Sequence, residues 1–159
     1  MRTVVVGLGN TLLADDGVGI YVVRELAARG LPPHVEVAEA SVGGLRLLNV
    51  ITGYERAILV DAIQTPAGRP GDLYLLGPGD LQASRHAGST HDMSLPAALA
   101  LGRRLGMALP DDENLTIIAI EVEDVLDFAE ECTPAVAAAI PRAVDAVWEE
   151  LGLSLSGDP

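Results

Sequence analysis

The chain contains no lysine; all ten of its basic residues are arginine. A P-loop lysine, a Schiff-base lysine and a lysine general base are therefore excluded. Cys132 is the sole cysteine, so no intramolecular disulfide and no cysteine-rich zinc site can form. Its thiol reads as a buried or bystander group. Aromatic residues make up 3% of the 159 residues against 49% apolar overall, so the core is expected to be aliphatic and alanine-rich. Positive charge is scarce too. A formal net charge of -13 disfavours nucleic-acid backbones and anionic membrane surfaces, and suits a basic or metal-carrying partner. No apolar run approaches the ~20 residues of a membrane span. The apolar start is broken by Gly9-Asn10 and Asp15-Asp16, with no A-x-A pattern after it, so a soluble, cytoplasmic protein is expected.

What is present is organised around residues 4–19. Val4 to Leu8 is continuously apolar and β-branched, as a strand covered on both faces in a parallel sheet must be. A glycine loop and two carboxylates follow, then the helical spacing Val18, Tyr21, Val22, Leu26 that stops near Gly30. Asp15 or Asp16 thus falls at a helix N-terminus beyond the carboxyl end of the first strand. One Asp suffices to cap a helix. A second beside it costs repulsion unless a cation, a substrate or solvent relieves it. A dinucleotide fold is disfavoured, because Leu12 stands where the third glycine of G-x-G-x-x-G belongs.

Residues 34–40 alternate with period two, predicting an edge strand that starts at a surface His34. Gly43-Gly44 leads into a short helix through Ile51. Residues 56–63 form a third strand with Asp61 as the charged residue inside its carboxyl end. The loop 64–71 is too short for a parallel crossover, so the strand over 72–76 is expected to run antiparallel at an edge. An irregular segment from Pro78 through Ser89 precedes His91, which stands just before a helix through Met107, with Pro96 in its first turn. His86, in that segment, reads as mobile loop. A fifth strand spans 115–120 and runs into the acidic stretch 121–124. The helix over 134–151 is expected to be interrupted or restarted at Pro141. Residues 1–151 read as one α/β domain and 152–159 as a disordered tail. In a parallel sheet, ligands bind beyond the carboxyl ends of the strands. Asp16 and Asp61 would face each other there, and His91 would complete an O, O, N donor set suited to a divalent metal with open positions.

Gly7-Leu8-Gly9-Asn10 with Asp15-Asp16-Gly17-Val18-Gly19, Gly43-Gly44-Leu45, Val60-Asp61-Ala62 with Gly68-Arg69-Pro70-Gly71, Ser89-Thr90-His91-Asp92 and Thr133-Pro134 together resemble the nickel–iron hydrogenase maturation endopeptidases. The likeness covers most of the chain, and its specificity lies in the joint order of the motifs. It implies a three-layer α/β/α sandwich with a five-stranded, mostly parallel sheet in the order 2-1-3-5-4. It implies an endopeptidase that removes the C-terminal extension of a hydrogenase large-subunit precursor after nickel insertion. Asp16, Asp61 and His91 are then the catalytic and nickel-sensing residues, Asp16 being shorter than the Glu frequent in the family, and Gly43 and Gly44 belong to substrate recognition. The nickel would be carried by the substrate, with no tightly bound metal of the enzyme's own. A nickel-binding chaperone without proteolytic activity, or a nucleotide- or nucleoside-binding α/β enzyme, are the alternatives.

Overall fold

The computed structural model describes residues 1–41, 43–83 and 94–155. Five strands, β1 (Thr3–Leu8), β2 (Val35–Ala40), β3 (Arg56–Ile63), β4 (Leu73–Leu76) and β5 (Leu115–Glu121), form one sheet in the order β2-β1-β3-β5-β4. All neighbours are parallel except β4, which pairs antiparallel with β5 at the edge. The short loop after β3 leaves no room for a crossover helix, which is why β4 turns back. Central β1 and β3 are buried along nearly their whole length, whereas edge strand β2 buries Val35 and exposes Glu36 and Glu39. That contrast is the one their apolar and alternating patterns encode.

Helices cover both faces. Alternate residues Val5, Ile58, Val60, Ile118 and Ile120 pack with α1 (Val18–Ala28) and α4 (Pro134–Glu150). The residues between them, Val4, Val6, Ala57, Leu59, Ile117 and Ala119, pack with α2 (Leu45–Ile51) and α3 (Leu95–Arg104). Both layers are built from aliphatic side chains and alanine, as the composition requires. The three-layer architecture and strand order agree with the expectation in full.

Three local expectations are corrected. The helix α4 runs unbroken through Pro141. Its apolar stripe of Val136, Ala139, Ala143, Val144 and Val147 is buried on both sides of the proline, while Pro141 and Ala137 are exposed, so the carbonyl that the missing N–H leaves open lies on the solvent side of the helix. The helix α3 ends at Arg104, short of Met107, because the N–H groups of Gly106 and Met107 fold back to the Arg103 and Gly102 carbonyls at 3.1 and 3.0 Å. The segment after Pro78 opens with a 3-10 turn, Pro78–Ala83, rather than irregular chain. As expected, Pro96 lies in the first turn of α3, where Ser94 caps by accepting from Ala97 N, and His34 is exposed. Leu153 N and Trp148 Nε1 bond to Trp148 O and Ser154 O respectively, holding the chain just past α4.

Candidate active site

Asp15 and Asp16 occupy a single 3-10 turn, Ala14–Gly17, between β1 and α1, and both are buried. Successive residues of such a turn point about 120° apart, so the two carboxylates meet different surroundings. Neither caps α1, which has no side-chain cap.

Asp15, 0% exposed, faces the C-terminal third of the chain. Its Oδ2 accepts from Glu123 N and Asp124 N, both at 3.0 Å, and its Oδ1 from Thr133 N at 2.6 Å, with Thr133 Oγ1 donating to the same carboxylate. Its own N–H donates to Asp124 O at 2.8 Å. This is a structural carboxylate with its lone pairs occupied.

Asp16, 8% exposed, faces the sheet end. It accepts from Asn10 N at 2.9 Å. Burial is the main cause that lifts its carboxyl from 3.8 to about 6; the Asn10 hydrogen bond opposes the shift, and the negative charge of Asp61 adds to it. Two glycines make this approach possible. A Cβ on Gly19 would lie 2.2 Å from Val60 O, and one on Gly9, whose φ is +139°, would lie 1.9 Å from Asp16 O. Without side chains there, the 3-10 turn and the start of α1 settle directly on the carboxyl ends of β1 and β3.

Asp61 sits opposite Ala119 of β5, and strand alternation puts it on the α2/α3 side with Leu59 and Ile63. It is half-buried, and its Oδ1 accepts from Ala62 N at 2.8 Å. The helix α3 starts on that same side of the sheet. His91, the expected nitrogen donor, lies outside the described residues, as does His86. Among the described residues no three His, Cys, Asp or Glu side chains form a metal-holding group.

Gly43 and Gly44 follow the carboxyl end of β2, at the same end of the sheet, and Gly44 precedes the first turn of α2. A Cβ on Gly43 would meet nothing within 4 Å. Beside them opens a cavity of about 260 Å³ lined by Gly9, Asn10, Ile20, Arg24, Glu39 and Ser41. The Arg24 guanidinium grips the Glu39 carboxylate at 2.9 and 3.1 Å across its mouth.

Two supporting groups escaped the sequence reading. Glu121, which opens the acidic stretch 121–124, is 2% exposed and ends β5 opposite Ile63. It accepts from Thr65 N at 2.9 Å and Tyr74 OH at 3.1 Å, so it pins the loop that follows Asp61. Its signal was strand alternation carried one step further, since Ile117, Ala119 and Glu121 share a face. Tyr21 O–H donates to Glu130 O, joining α1 to the loop after β5; no local pattern foretells that bond. Burial pushes the Cys132 thiol up to about 11, with the Asp15 charge adding, so it stays protonated and weakly nucleophilic at neutral pH.

A crevice at the carboxyl ends of β1 and β3, edged by two carboxylates of which one is raised to about 6, has the chemistry to take an oxygen-ligated cation or to assist hydrolysis. A sequence profile of the hydrogenase maturation protease family matches residues 20–150. The chain belongs to that family, and its class is endopeptidase. It is 30% identical to the hydrogenase 2 maturation protease of Escherichia coli (strain K12), over 95% of this chain and 91% of that protein. Among solved structures, the hydrogenase maturating endopeptidase HybD from E. coli superposes with a TM-score of 0.79 at 30% identity, covering 96% of this chain and 93% of its own. The [NiFe] hydrogenase maturation protease HybD from Thermococcus kodakarensis superposes at 0.67 and 28% identity, covering 95% and 99%.

Proposed function

We propose that the protein removes the C-terminal extension of a nickel–iron hydrogenase large-subunit precursor after nickel insertion, and that it senses the precursor's nickel through Asp16, Asp61 and His91. One observation carries this reading. Burial first, and then the negative charge of Asp61, raise the Asp16 carboxyl to about 6, so the carboxylate of the turn after β1 and that at the end of β3 are held together in a desolvated crevice where the charge of Asp61 disfavours that of Asp16. A divalent cation relieves that repulsion, and a cation that arrives with the substrate ties docking to nickel loading. Two carboxylates and an imidazole make an incomplete shell, so the enzyme alone retains little metal. Docking then places the scissile peptide in the crevice, where a carboxylate or the substrate's metal activates water. Gly43 and Gly44, on the rim, contact the precursor backbone.

The partner is the precursor in the cytoplasm, with neither nucleic acid nor membrane insertion involved. No helix among the described residues is long and apolar enough to cross a membrane. The test mixes chelator-stripped enzyme with nickel-loaded precursor, and untreated enzyme with nickel-free precursor. Cleavage is expected only in the first mixture. Cleavage only in the second overturns the substrate-nickel reading and makes the three residues an ordinary metalloprotease site; nickel binding without cleavage in either identifies a chaperone.

A further inference from the structure

The loop between β5 and α4, residues 122–133, is fixed by hydrogen bonds at several points along its length. Asp15 holds it at Glu123, Asp124 and Thr133. The Asp124 carboxylate accepts from Leu126 N and Asp127 N at 3.0 and 3.1 Å. Ala14 N donates to Ala129 O at 2.9 Å and Ala129 N to Leu12 O at 3.1 Å, so the loop is stitched to the one that leads into Asp16. Yet this fixed loop holds Phe128, the chain's only phenylalanine, 88% exposed, and Leu126 82% exposed. Leu12, whose carbonyl is bonded to the residue after Phe128, is 55% exposed. A mobile loop sheds apolar side chains into solvent at little cost, whereas a rigid one that presents them is pre-organised for contact.

Charge selects the occupant. Glu123, Asp127, Glu130 and Glu131 are all exposed on the same loop, and no basic residue occurs between Arg104 and Arg142. An apolar anchor ringed by carboxylates fits a segment with an aromatic or aliphatic side chain and neighbouring arginine or lysine. We infer that Phe128, Leu126 and Leu12 form a docking knob for such an apolar and basic segment of the precursor, set beside the Asp16 crevice. This rests on the proteolytic function proposed above, which supplies the protein partner. The stitching to the Asp16 loop fixes the knob relative to the cutting site, so grip on this segment sets the register of the scissile bond.

The test measures kcat and KM for purified nickel-loaded precursor, with the double variant Phe128→Ser/Leu126→Ser. Both side chains are exposed, so the unfolding midpoint is expected to stay at the wild-type value. KM is expected to rise about tenfold or more, as for loss of an interface anchor, with kcat at saturation within about twofold. A second variant, Glu130→Arg/Glu131→Arg, keeps the knob and cancels the net negative charge of the ring. Its KM is expected to rise severalfold at low salt and to lose most of its salt dependence. Wild-type KM in both variants overturns the proposal. So does sedimentation showing that the wild type is a dimer and the Phe128→Ser/Leu126→Ser variant a monomer of unchanged KM, which assigns the knob to a second copy of the chain. If the wild type itself neither binds nor cleaves the precursor, the proteolytic function has failed and the knob loses its occupant. Failure of the knob alone looks different, because the wild type and both variants then cleave alike.

Discussion

Asp15 and Asp16 are adjacent, the same residue type and both buried, yet one is embedded in donors and the other is left with Asn10 N and a like charge. The difference is one of aim. Asp15 points at the loop and helix start that close the fold from the far end of the chain; Asp16 points at the ends of β1 and β3. A buried carboxylate that accepts three backbone N–H groups stabilises the native state, whereas one facing another carboxylate destabilises it and is held for what it will bind. A stabilising and a destabilising carboxylate are thus neighbours in sequence, and the function proposed above falls to the destabilising one.

The largest effect of removing either carboxylate is expected at Asp15. Asp15→Ala strands three part-buried N–H groups and a hydroxyl, and is expected to cost about 4 kcal/mol, a fall in Tm on the order of 10 °C for a chain of this length. Chemical denaturation measures it, and a loss below about 1 kcal/mol would show that water replaces the carboxylate. Asp16→Asn is expected to act with the opposite sign. The native pKa of about 6 lies above the ordinary 3.8, so the folded state binds the extra proton between those values. The stability contributed by protonated Asp16 is present below pH 3.8 and is lost as pH rises through 6. The asparagine variant should therefore be more stable than wild type by about 3 kcal/mol at pH 7.5 and indistinguishable near pH 3.5, while processing falls by roughly a hundredfold or more. A parallel pair of stability curves across that range defeats the assignment. Asp61→Asn sharpens the electrostatic half of the contrast. Processing should be abolished, stability should change by less than about 1 kcal/mol, and the Asp16 carboxyl, followed by carbon NMR, should titrate lower than in wild type because one of its raising causes is gone. Cys132→Ser is expected to change neither processing nor the unfolding midpoint. Lost activity at unchanged stability would reveal an unrecognised nucleophile.

Much of this was legible from residue order. Continuous apolar runs marked β1 and β3 as central, alternation marked β2 as an edge, and the short glycine- and proline-rich loop after β3 required β4 to reverse. Asp61 was visible because a lone charge inside a buried strand has few reasons to be there. The division of labour between Asp15 and Asp16 was not visible, since the donors that claim Asp15 come from 108 to 118 residues away. Glu121 was hidden by its acidic neighbours, although only it continues the strand's inward face. Pro141 misled because a local rule forbade what burial on the opposite face of α4 supports.

The bonds of Asp15 also set an order in time. Synthesis proceeds at about 5–20 residues per second, so this carboxylate emerges and then waits on the order of ten seconds for Thr133, its most distant donor. Over the same interval β3 and β4 lack the strand that separates them, because β5 is made after both and inserts between them. The corner that carries Asp16 is thus encoded first and completed last. An incomplete chain has the carboxylates but no wall to hold them, and a peptidase so arranged becomes competent only when its own synthesis is nearly finished.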